Sequence, residues 1–172
     1  MSLRFEDKVL PLLDNAYRYA VTLTRSAVEA EDVLQEAMLR AYRSFASLRS
    51  DDAKPWLLVI VRNTYFSMRS RHRTAVSLEA LQEESTDLNA ASRPGPEALA
   101  EDADVRRLLG TLLARLSPEH REVLLLREIE DLNYREIAEL LGIAEGTVMS
   151  RLARARAALK ALWSKRNAEA HL

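Results

Sequence analysis

The sequence has no cysteine. That excludes a disulfide scaffold, a cysteine-ligated zinc site and a thiol nucleophile, and it fits a reducing setting. Glycine and proline are scarce, 4 and 5 in 172 residues, which argues against a β-rich or collagen-like fold. Long apolar runs are missing too. The longest, Trp56 to Val61, has six residues, against the roughly 20 that a membrane-spanning helix needs. The stretch from Met1 to Lys8 holds no apolar core of signal-peptide length. No membrane segment and a cytoplasmic location are expected. His72, His120 and His171 are far apart, with no His-Glu-x-x-His pair and no glycine-rich phosphate loop. No catalytic set, metal site or cofactor is expected, and nothing points to an enzyme.

What remains is rich in Ala, Leu, Glu and Arg, the composition of an all-α protein. The net charge of −1 hides a pattern. Residues 1–74 carry +3, residues 75–104 carry −7 and residues 105–172 carry +3. The acidic stretch also holds the loop signals, Ser85-Thr86-Asp87, Asn89 and Arg93-Pro94-Gly95-Pro96, and lacks sustained apolar periodicity. The pattern predicts two small helical domains, 1–74 and 104–172, joined by a flexible acidic linker over 75–103. A single domain with a long surface loop is the alternative, though structureless loops of this length are uncommon within one domain.

In the first segment, helical spacing runs from Arg4 to Leu23, with a kink or a helix start expected at Pro11. A second helix spans Ala27 to Phe45. Val33, Leu34, Ala37, Met38, Ala41, Tyr42 and Phe45 mark its apolar face, and Glu31, Asp32, Gln35, Glu36 and Arg43 its polar one. After a loop at 47–52, Ala53 or Pro55 opens a third helix. Four arginines (Arg62, Arg69, Arg71, Arg73) and no acid fall within 62–73. They make either a solvated helix end favoured by the helix dipole or a phosphate-binding ridge.

In the second segment, Asp104 to Leu116 is amphipathic, and Ser117-Pro118 starts a helix running through Ile129. Asn133 and Glu136 have capping-box spacing ahead of a short helix. Gly142 breaks that helix, and Glu145-Gly146-Thr147 opens a last one. Short helix, glycine turn and second helix make a helix-turn-helix. Ile137, Leu141, Ile143, Val148 and Leu152 would lock the crossing, and Ala138 keeps it close. Six basic residues and no acid lie between 151 and 166. A dipole effect covers only the last turn, so this run points to DNA.

With both halves in view, the chain resembles the extracytoplasmic-function (ECF) sigma factors of the sigma-70 family. Ala30 to Glu36 (AEDVLQE), with Ala41-Tyr42, is similar to the family's region two helix, and Pro55-Trp56-Leu57 through Arg62-Asn63 to the helix after it. Leu116 to Leu126 and Ile137 to Arg156 are similar to region four. Met149 departs from the pattern, standing where a basic residue is usual. Ser67 departs too, in place of a common Asp, and Ala53-Lys54 lacks the usual aromatic before Pro-Trp.

The resemblance implies a subunit that binds core RNA polymerase, at its clamp and flap, and directs it to promoter DNA. Asp32, Gln35 and Glu36 would bind polymerase. Leu48, Arg49, Arg62, Asn63, Arg69, Arg71 and Arg73 would meet the melted −10 element, with the Asn63 amide reading an unstacked base. Thr147, Ser150, Arg151, Arg154 and Arg156 would meet the −35 duplex, with Arg151 alternatively a helix-packing cation. An anti-sigma factor is the further partner implied, with a stress or envelope-signal regulon. Two rival readings keep part of this: a free-standing helix-turn-helix regulator, which leaves the first 75 residues unexplained, and a sigma mimic that titrates an anti-sigma factor, which has no need of the arginines of the last helix.

Overall fold

The computed structural model describes residues 4–76 and 100–170, and among them there is helix and no strand. The chain divides into two compact units, residues 1–90 and 91–172. The acidic stretch at 77–99 lies outside the described residues.

In the first unit, α1 (Phe5–Val9) runs through a 3-10 turn (Leu10–Leu12) into α2 (Leu13–Thr24). The turn carries Pro11, whose missing N–H tolerates the start of a helix but not its interior. Arg25 takes a left-handed conformation (φ 58°) and ends α2, its N–H donating to the Val21 carbonyl at 2.8 Å. Ser26 caps α3 (Ala27–Ser44) by accepting from the Glu29 N–H. α4 (Ala53–Val76) starts where Asp52 Oδ1 accepts from the Lys54 N–H at 3.0 Å.

α2, α3 and α4 pack pairwise. The α3 core stripe is Ala30, Val33, Ala37 and Ala41, mostly small residues that let neighbouring helices approach closely. Tyr19, Leu57, Leu58 and Val61 fill the space between. Tyr42, expected in the core, is 64% exposed and meets Phe5 edge-on at 5.3 Å.

The second unit comprises α5 (Ala100–Ala114), α6 (Pro118–Leu124), a π turn (Leu125–Ile129), α7 (Tyr134–Leu141) and α8 (Glu145–Ala170). α5 begins four residues before the expected boundary at 104 and takes Glu101, Asp102 and Asp104 into its first turn, where acids favour the helix dipole. Its outer Val105 and Leu109 are exposed, and its core contacts come from Leu112. Arg121 is buried and donates to the Leu113 and Leu116 carbonyls, both at 3.1 Å, supplying partners at the end of α5.

The π turn corrects the expected register. The Glu130 N–H donates to the Leu125 carbonyl five residues back, so the turn holds one extra residue and rotates the chain beyond it. Ile129 leaves the core and is half exposed, while Glu130 and Leu132 turn inward. The helix-turn-helix forms as the sequence predicts. Asn133 and Glu136 close the capping box at 2.9 and 2.8 Å, and Gly142 sits at φ 67° between α7 and α8. Ile143 is only half-buried.

Candidate nucleic-acid and partner-binding surfaces

In α8 the buried stripe is Val148, Leu152 and Ala155. At 100° per residue, Thr147, Ser150, Arg151 and Arg154 fall together on one side of that stripe. Ser150 Oγ donates to the Thr147 carbonyl at 3.1 Å and accepts from Arg154 at 3.3 Å, which pre-orients that guanidinium. The span from Thr147 to Arg154 is roughly 10 Å, close to the width of a major groove. Arg151 is the more enclosed and reaches Glu119 of α6 at 3.7 Å. Met149 is 54% exposed, and with Gly146 and Ala153 it gives the outward face a neutral surface between the arginines.

Arg156 stands apart. It lies on the opposite side of the buried stripe, about 160° around α8 from Arg154. Its guanidinium donates twice to Glu128 Oε1, at 2.9 and 2.6 Å. That hydrogen bond, then the Glu128 charge and the neighbouring Tyr134, hold its pKa above the usual arginine value. The structure therefore brings four of the five expected duplex-contacting residues together and gives the fifth a role in tying α8 to the π turn.

On α4, Arg62, Asn63, Phe66 and Arg73 share the outward face. Arg62 lies over the Phe66 ring, 4.7 Å from its centroid. Arg69 donates to the Tyr65 hydroxyl at 2.6 Å. From Asn63 to Arg73 is roughly 15 Å along the axis, enough for a strand and too far for one nucleotide. Arg71 faces the other way, and its charge is one of those acting on Glu36. Leu48 and Arg49 sit in the loop before α4. That loop is tied to α1 by Lys8, whose Nζ donates to the Asp51 carbonyl at 2.9 Å.

Asp32, Gln35 and Glu36 do share a face of α3, and it is not purely polar. Val28, Leu39 and Tyr42 are 72%, 54% and 64% exposed on the same side. Val28, Asp32, Gln35, Leu39 and Tyr42 recur at steps of four, three, four and three, the spacing of a coiled-coil seam. Glu36 borders the seam and accepts from Arg40 at 2.8 Å. That bond, joined by the charges of Arg40, Arg71 and Arg43, holds its carboxyl below the usual pKa despite some desolvation. The second unit adds an apolar cleft of about 280 Å³ between α5 and α8, lined by Leu109, Leu112, Leu159 and Trp163 with Arg156 and Lys160 at its rim. Sequence analysis missed the seam and the cleft. The seam was readable as a heptad; the cleft needs the α5–α8 packing.

The family pattern for sigma-70 region 2 matches residues 9–74, and that for sigma-70, region 4, matches residues 106–159. The ECF RNA polymerase sigma factor SigM of Bacillus subtilis (strain 168) is 31% identical over 153 residues, covering 89% of this chain and 91% of SigM. The chain belongs to the ECF sigma factors. ECF sigma factor SigE of Mycolicibacterium smegmatis is 35% identical over 156 residues, 91% of this chain and 60% of SigE. Among solved structures, the Bartonella quintana sigma factor RpoE, crystallised with the anti-sigma factor NepR, superposes with a TM-score of 0.75 at 28% identity. The match covers 93% of this chain and 96% of RpoE.

This ECF sigma factor is thus a DNA-binding transcription initiation factor. Its relatives regulate transcription and are not enzymes. The region 4 match contains the helix-turn-helix, and the region 2 match contains α2, α3 and α4 through residue 74. Among the described residues no helix is long and apolar enough to cross a membrane, and no group of His, Asp and Glu is placed to hold a metal ion.

Proposed function

We propose that this sigma factor binds core RNA polymerase through the α3 seam and carries it to promoters in the cytoplasm. The α8 face of Thr147, Ser150, Arg151 and Arg154 reads the −35 duplex, and the outward face of α4 with loop 48–49 meets the melted −10 strand. Residues 1–74 act as the polymerase and −10 domain, residues 104–172 as the −35 domain, and 75–103 as the tether. The α5–α8 cleft takes an apolar helix of the polymerase flap. An anti-sigma factor restrains the protein, serving a stress or envelope-signal regulon; the RpoE likeness supports that partner.

The seam carries the reading. A helix that needed only solvation would not expose Val28, Leu39 and Tyr42 in one line with its acids. The heptad spacing fits a partner helix packing alongside. Binding of the labelled full chain to core polymerase tests it. Leu39→Arg and Tyr42→Ala are expected to weaken binding at least about tenfold, which is 1.4 kcal/mol, with unchanged helical signal and melting temperature. Core affinity equal to wild type in both variants overturns the seam.

A further inference from the structure

We propose that Phe66, paired with Arg62, is a stacking platform for one unpaired base next to Asn63. The inference deepens the −10 reading above and rests on it. Phe66 is 46% exposed although its neighbours Val61, Thr64 and Tyr65 are buried. Its ring is fixed from two sides. Arg62 covers it with the guanidinium 4.7 Å from the centroid, and Tyr65 meets it edge-on at 5.0 Å and 64°. Tyr65 is itself held by Arg69.

An exposed phenylalanine is an unfavourable surface residue, and packing inside the unit does not account for it. Its setting is a helix face with no acid from 62 to 73 and with Arg62, Arg69 and Arg73 around it. Aromatic rings set in a basic track are how proteins hold single strands: the cations follow the phosphates and the rings take the bases. Either the ring or the guanidinium plane above it stacks on a base. Stacking tolerates any base, so Phe66 supplies the hold. Asn63, three residues away and exposed on the same face, supplies the hydrogen bonds that discriminate.

The test uses holoenzyme assembled from core polymerase and the full chain. The probe is a promoter selected by the wild-type holoenzyme from a randomised duplex pool, remade with 2-aminopurine at successive −10 positions. Phe66→Ala and Phe66→Leu are expected to shorten the open-complex lifetime roughly 5- to 100-fold and to change fluorescence at a single position. Phe66→Trp is expected to keep wild-type behaviour. Leucine keeps the apolar bulk and loses only the ring, so it separates stacking from packing; circular dichroism of each variant checks the fold. Wild-type lifetimes and fluorescence for Phe66→Leu overturn the platform and leave the −10 reading standing. A wild-type holoenzyme that selects and opens no promoter overturns both.

Discussion

Arg154 and Arg156 are two positions apart and face opposite sides of α8. Arg154 is exposed and steadied by Ser150, whereas Arg156 is committed to Glu128. Arg154→Ala is therefore expected to cost about 1–3 kcal/mol of −35 binding and to relax preference at one base pair. Arg156→Ala is expected to leave base preference unchanged and to lower stability by less than about 1 kcal/mol, because the pair is half exposed. Binding titrations on a panel of −35 variants, with thermal melts, check both. Glu36 gives a pH prediction. Its folded pKa lies below the ordinary 4.5, so its pairing with Arg40 stabilises the fold above that value and is lost as pH falls through the folded pKa. In denaturant titrations, wild type is expected to exceed Glu36→Gln in midpoint at pH 7, with the gap closing below about pH 4.

At the scale of elements, short-range chemistry was the most legible part of the sequence. Asn133, Glu136, Ser117 and Gly142 each act within a few residues, and each appears in its expected role. Gly142 adopts φ 67°, and a methyl added there would meet nothing within 4 Å, so substitution costs are conformational. Gly142→Ala is expected to lower stability by about 1–2 kcal/mol and Gly142→Asn by less, measured by chemical denaturation. The π turn was not legible, because it depends on which of Ile129 and Glu130 the assembled core accepts, and local periodicity carries no such information. Tyr42 was misjudged because hydrophobic identity was given more weight than register; the Ala30-Val33-Ala37-Ala41 stripe already filled the buried face. Arg71 and Arg156 were grouped with their neighbours by basic charge, although 100° steps send both to other faces.

For the whole molecule, the central claim is that promoter recognition is shared with polymerase. Two segments of charge +3 flank one of −7, and duplex affinity without a partner comes mainly from neutralised phosphates. The isolated chain is therefore expected to bind duplex weakly, with binding lost at moderate salt. The most direct measurement is run-off transcription from the selected promoter with core alone, with the protein alone and with both, alongside a binding titration of the free protein. The account predicts a defined transcript only when both are present, and weak, sequence-indifferent binding by the free protein. Tight sequence-specific binding by the free protein, with no transcript on adding core, would contradict it.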